Sequence, residues 1–104
     1  SDRTHIFRED KDCTIRTLSP LNLEKDVELY EVRFNSEGIL KSAAHFEGTR
    51  EFLTVQKGTV EITSDQDATT LNKGDSASYK ADVPHQIRNT GRGEALVVLV
   101  VIYR

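Results

Sequence analysis

The stretch "GDSASYKADVPHQIRN", residues 74–89, decides how the chain is read. It begins on glycine, sets Pro84 directly before His85 and ends on Asn89. Two short alternating runs, 77–81 and 84–89, flank the turn residues Asp82, Val83 and Pro84, so the stretch reads as strand, turn, strand. His85 then shares a face with Ile87, because alternate residues of a strand point the same way. Two readings stay open at this point. The stretch is a loop with a satisfied histidine, or it is half of a binding site whose other half lies elsewhere in the chain.

Strands also dominate outward from there. Residues 27–34, "VELYEVRF", alternate, with Tyr30, Val32 and Phe34 on one face and Glu31 and Arg33 on the other. Further strands are expected at 50–56, 59–63, 68–71 and 95–103, separated by turn residues such as Lys57-Gly58, Ser64-Asp65 and Asn72-Lys73-Gly74. No stretch carries a capped 3.6-residue stripe, and regularly spaced short strands predict a β-sandwich or barrel. Residues 1–26 are read as an N-terminal extension with one strand, 13–18, and residues 27–104 as the barrel of a single domain. Asp75 and its neighbours carry turn chemistry. His5 is expected in solvent, and Cys13 as a small buried hydrophobe. The nine apolar residues of "ALVVLVVIY", 95–103, are too few to span a membrane, which takes about 20. They predict a strand buried on both faces, either within the sandwich or against a second subunit, hence a homodimer.

Composition narrows the function classes. The 104 residues carry a net charge of -3 with no basic run, which excludes electrostatic binding of nucleic acid by this chain alone. Cys13, the single cysteine, has no internal disulfide partner and fits a reducing, cytoplasmic setting. The opening "SDRTHIFRED" has no apolar signal region. There is no Gly-rich phosphate loop and no nucleophile elbow.

The other half of a site is found upstream, in "AAHFEGTREFLTVQKG", 43–58. Glu51 shares parity with Leu53 and Val55, which read as core, while Phe52 and Thr54 point away. His45 and Glu47 share parity with each other. A glutamate and a histidine are therefore aimed into an apolar interior, where an ionised carboxylate is costly unless paired, hydrogen-bonded or metal-bound. Imidazole and carboxylate are also the groups a divalent transition metal takes. Plain alternatives stand beside this: His45 as a satisfied strand-end residue, His85 bonded to turn backbone, Glu51 paired with Arg50 or Arg88. Parity places both arginines on the opposite face.

These two stretches resemble the paired motifs of the cupin superfamily. His45-Phe46-Glu47 stands where the first motif has His-x-His, Glu51 follows after three residues, and Gly58 after six more. In the second, Gly74, His85 and Asn89 match in spacing, with Lys80-Ala81-Asp82 at the Pro-x-Gly position. The resemblance implies an all-β, double-stranded β-helix barrel of jelly-roll type over roughly 27–103. It further implies a metal set of His45, Glu47, Glu51 and His85, departing from three histidines and a glutamate, for one divalent ion such as zinc, iron, manganese or nickel. Cupins with incomplete ligand sets often hold no metal and serve as ligand pockets, here with His45, Glu51, His85, Tyr30 and Tyr79 as lining.

Residues 48–58, 71–91 and the apolar end are similar to the C-terminal cupin domain of bacterial helix-turn-helix transcriptional regulators of the XRE type. That similarity implies a domain sensing a small-molecule effector, with DNA reached only through an N-terminal domain outside this chain. The lack of any methionine fits the same expectation. Two other classes remain open: a small metal-dependent enzyme, a dioxygenase or isomerase working at His45, Glu51 and His85, and a stand-alone binding or dimerisation module.

Overall fold

A computed structural model describes residues 5–18 and 26–103, with the side chains of His5 and Phe7 left aside. The expectations touching residues 1–4 and 19–25 lie outside the described residues. Ten strands form: β1 (His5–Glu9), β2 (Cys13–Thr17), β3 (Val27–Phe34), β4 (Ile39–Ser42), β5 (Arg50–Lys57), β6 (Thr59–Ser64), β7 (Asp67–Asn72), β8 (Ser76–Lys80), β9 (His85–Asn89) and β10 (Ala95–Ile102). Among the described residues there is no helix, and none long and apolar enough to cross a membrane.

The strands make two antiparallel sheets. Six run in the order β1-β2-β3-β10-β5-β8, and four in the order β4-β9-β6-β7. The inward residues of each sheet meet between them. Val32, Phe34, Leu53, Val55, Val97 and Leu99 come from the first sheet, and Leu40, Val60, Ile62, Leu71 and Ile87 from the second. Turns follow local chemistry. Asp75 accepts the backbone N–H of Asn72 (2.8 Å) and Asp10 accepts those of Asp12 and Cys13 (2.9 and 3.1 Å). Gly58, at φ 84°, makes the tight β5–β6 connection, where a side chain would meet the Glu94 carbonyl.

Asn89 answers one part of the opening stretch. Its amide, only 2% exposed, donates to Asn35 O (3.0 Å) and Gly93 O (2.8 Å) and accepts from Gly91 N (3.1 Å), so it fastens two turns. Its place is structural.

Three expectations change. The N-terminal extension contributes two strands rather than one, because the Asp10 turn folds β1 back on β2. A four-residue strand, β4, pairs with β9 after the turn at Glu37, whose φ is 63°. The apolar run of β10 is not buried on both faces within the chain. Ala95, Val97, Leu99 and Val101 are buried, whereas Leu96, Val98, Val100 and Ile102 are half-exposed on the outer face. Outward side chains of β3 and β5, among them Leu29, Glu31, Phe52 and Thr54, flank that outer row in register.

Leu53 is fully buried at the centre of the first sheet. Leu53→Ala is expected to cost about 3 kcal/mol, a fall in Tm of roughly 10–20 °C, measurable by thermal and chemical unfolding. A loss below about 1 kcal/mol would place Leu53 outside the packed core.

Candidate functional site

Glu51 anchors the site. It alternates with Leu53 and Val55 along β5, and its side chain is 3% exposed among them. On the neighbouring strand its register partner is Tyr79 of β8, whose hydroxyl donates to Glu51 Oε1 at 2.7 Å. The other oxygen, Oε2, meets two imidazoles. His85 Nε2, from the first residue of β9 in the opposite sheet, lies at 3.2 Å, and His45 Nε2 at 3.4 Å. The two rings stand 5.1 Å apart, tilted at 59°. Arg50 and Arg88 point outward, as parity requires. Arg50 donates to Ser78 (3.3 Å) and Arg88 pairs with Glu61 (3.2 Å).

His45 sits on the irregular segment between β4 and β5, and backbone and side-chain bonds to the β8–β9 turn fix that segment. His45 N donates to Ala81 O (2.9 Å), Ala81 N to Thr49 O (2.9 Å), and Gly48 N to Asp82 Oδ2 (2.8 Å). Lys80-Ala81-Asp82, the departure from the expected Pro-x-Gly, thus supplies the carboxylate that ties down the histidine's loop. Glu47 falls outside the cluster. Parity was applied to it as though 43–49 were a strand, but the chain turns there, with Gly48 at φ 88°, and Glu47 is exposed.

The protonation pattern of His85 follows from its partners. Nδ1 lies 2.7 Å from Val83 O, which only accepts, so Nδ1 carries a proton. A neutral ring would then aim a bare Nε2 lone pair at a carboxylate oxygen, and two acceptors at that distance repel. Something positive belongs between them, a proton or a metal ion. Burial pushes the His85 pKa down, yet the acceptors Glu51 and Val83 outweigh it and raise the pKa above its ordinary value. Burial likewise pushes the Glu51 carboxyl up, but bonds from His85 and Tyr79 and the nearby imidazoles hold it below the usual value. Burial and then the Glu51 charge raise the Tyr79 phenol, which stays a donor.

Two imidazole nitrogens and a carboxylate oxygen lie within 4.8 Å of one another at His45, Glu51 and His85. The donor types suit a borderline divalent ion, and the Nδ1–H bond to a backbone carbonyl is the outer support that metal-bound histidines commonly have. The residues fit the group.

His45 and Glu51 open into a cavity of about 470 Å³. Its apolar floor is Ile15, Leu40, Leu99 and Val101, and Tyr30 lines it as expected. Tyr79 instead stands behind Glu51 and borders a different, polar cavity of about 500 Å³ that none of His45, Glu51 or His85 lines. Glu28 and Tyr103 line the first cavity too. Tyr30 and Tyr103 donate to the same oxygen of Glu28, at 2.7 and 3.0 Å. Burial, then the bond to Glu28, pushes the Tyr103 phenol up to about 12. Sequence reasoning missed this pair because it meets only through the β3–β10 register, which sets Glu28 opposite Val101.

This barrel and its inward carboxylate define a cupin. Residues 31–102 match the cupin domain family (Cupin_2), and the chain belongs to it. The chain is similar to the HTH-type transcriptional regulator SutR of Escherichia coli strain K12, at 31% identity over 77 residues, 74% of this chain. It spans only 43% of that relative's length. In fold it resembles an HTH_3 family transcriptional regulator from Vibrio cholerae, with TM-score 0.82 and 22% identity, over 89% of this chain and 52% of that one. It also resembles the Cupin_2 domain of an XRE family transcriptional regulator from Enterobacter cloacae, with TM-score 0.82 and 19% identity, over 89% of this chain and 98% of that one.

The two opposite shifts at the site fix a pH window. Glu51, lowered from 4.5, adds stability above that value and loses it as pH falls through its depressed pKa. His85, raised from 6.5, adds stability below that value and loses it as pH rises through its elevated pKa. In chelator-treated protein, the stability advantage of the parent over His85→Gln should peak between about 4.5 and 6.5 and narrow on both sides. An advantage that keeps growing above neutral pH contradicts the ion pair.

Proposed function

We propose that this cupin domain is the small-molecule-sensing part of a bacterial, cytoplasmic transcriptional regulator, whose DNA contacts are made by a helix-turn-helix domain outside these residues. The observation that carries the reading is the polar trio His45, Glu51 and His85, two members of which, His45 and Glu51, line an apolar-floored cavity of about 470 Å³. The similarity to cupin domains of regulators supports it, and so does a chain of net charge -3 with no basic patch of its own. In this reading His45, Glu51 and His85 hold one divalent ion such as zinc, iron, manganese or nickel. The ion would act as a Lewis acid toward an oxygen of the ligand. Tyr79 keeps Glu51 in position by its hydrogen bond, and Val83 keeps Nε2 of His85 the coordinating atom.

A second reading, a small metal-dependent enzyme, is favoured by one feature of the same trio. Three protein ligands leave a transition metal short of a full shell, the condition for substrate to bind on it.

His85→Ala, and separately the half-exposed His45→Ala, should keep the fold by circular dichroism while losing bound zinc and effector-induced thermal stabilisation. Variants that retain both place the site elsewhere. In the longer gene product, effector should change affinity for operator DNA. A gene product without a DNA-binding domain, turning over a substrate, decides for the enzyme.

The half-exposed outer row of Leu96, Val98, Val100 and Ile102, beside Phe52 at 39% exposure, is proposed as the homodimer face. Sedimentation should give a dimer that Val98→Glu dissociates. A parent chain that sediments as a monomer at micromolar concentration removes the claim.

A further inference from the structure

A second polar cluster lines the same cavity beside His45, whose ring stands 6.4 Å from that of Tyr103. Glu28 and Tyr30 sit on β3 at the same parity as the buried Val32 and Phe34, and Tyr103 follows β10 at the parity of Leu99 and Val101. Both phenols spend their only hydroxyl proton on Glu28 Oε1, at 2.7 and 3.0 Å. Beyond those bonds the cluster, which lines the cavity, keeps the second carboxylate oxygen of Glu28, the lone pairs of the Tyr103 oxygen, and two aromatic rings. These are hydrogen-bond acceptors and negative ring faces.

Among the described residues Glu28 has no cationic partner, its bonds being those to the two phenols. Arg8, Lys41 and His45 border the same cavity, and none is bonded to Glu28; His45 directs Nε2 to Glu51 Oε2 at 3.4 Å. Arg8 on β1 is held by Asp10 at 2.6 Å, and Lys41 on β4 is exposed in the opposite sheet. Glu28 is half-buried beside an apolar floor and bonded to two neutral phenols, an arrangement that a positively charged ligand complements. An ammonium brings the charge and three N–H donors, and the Tyr30 and Tyr103 rings add cation–π attraction. A carboxylate or phosphate group would meet the like charge of Glu28, to which both phenols already donate.

We infer that Glu28, Tyr30 and Tyr103 form an ammonium-recognising subsite, so that the ligand of this cavity is an amine carried on a mainly apolar body. The floor of Ile15, Leu40, Leu99 and Val101 receives that body, and about 470 Å³ lies within the range of small-molecule sites. Glu28, Tyr30 and Tyr103 lie just outside the stretch 31–102 matched to the cupin family. Calling the amine an effector rests on the sensing role proposed above. The subsite itself does not.

The test titrates n-hexylamine, hexanoate and hexan-1-ol into the chain, followed by calorimetry and by the NMR signals of the tyrosine rings. Hexylammonium should bind saturably and shift the Tyr30 and Tyr103 signals, with the alcohol weaker and hexanoate weakest. Glu28→Gln, which keeps shape and removes charge, should weaken the amine by about tenfold or more. Hexanoate binding as tightly as the amine overturns the inference, as does Glu28→Gln binding the amine like the parent. The comparison of probes on the parent chain stands whether or not the variant folds. Amine binding without any change in DNA affinity of the longer gene product would sink the sensing role and leave the subsite in place. An intact effector response without amine selectivity would do the reverse.

Discussion

A carboxylate buried at the start of an otherwise apolar inward row is the constraint around which the rest of this barrel is arranged. Glu51 stands where Leu53 and Val55 continue the same inward row, and left alone it would cost several kcal/mol. Its partners come from three separate places: Tyr79 from the adjacent strand of its own sheet, His85 from the facing sheet, and His45 from the loop before β5. Satisfying this one group therefore locks the two sheets together at one end of the core. It also explains why the β8–β9 turn is so heavily bonded. Val83 sets the tautomer of His85, and Ala81 and Asp82 hold the loop of His45.

The same arrangement is what makes the site capable of chemistry. Tyr79 occupies one oxygen of Glu51, so the other is left to the imidazoles, and the Val83 carbonyl leaves His85 only its Nε2 lone pair to offer. Two acceptors facing each other hold together only around something positive. A proton meets that need, and under the proposed metal set a divalent ion would compete with it for the same position.

Much of this could be read from the residues alone, and the reason is periodicity. Strands β3 and β5–β10 announce themselves by alternation or by turn residues, and a period of two fixes which way Glu51 and His85 point. Parity fails where the chain leaves the strand, which is why Glu47 was grouped with His45 and ends in solvent. Short elements lack enough residues to show a period. Ile39–Ser42 offers four, two of them polar, and is defined only by its pairing with β9. The Glu28–Tyr30–Tyr103 cluster was invisible for a different reason. It joins positions 75 residues apart, and only the register of β10 on β3 brings them to one point.

That register also gives β10 a double role. Val101 pairs with Glu51 on one side and with Glu28 on the other, so a single residue of one strand lies between the two carboxylates that line the cavity. β10 is hydrogen-bonded along both edges and packs its inward side into the core, which makes it the least adjustable wall. The His45 segment is the opposite case. It has no strand partner, its neighbour Phe46 is 80% exposed, and it is held by a few bonds to one turn. A ligand of the proposed kind, reaching from Glu28 to Glu51, would meet a fixed spacing set by β10 and a more adjustable lip set by residues 43–49. Selectivity for its length would belong to the first, and accommodation of whatever sits at His45 to the second.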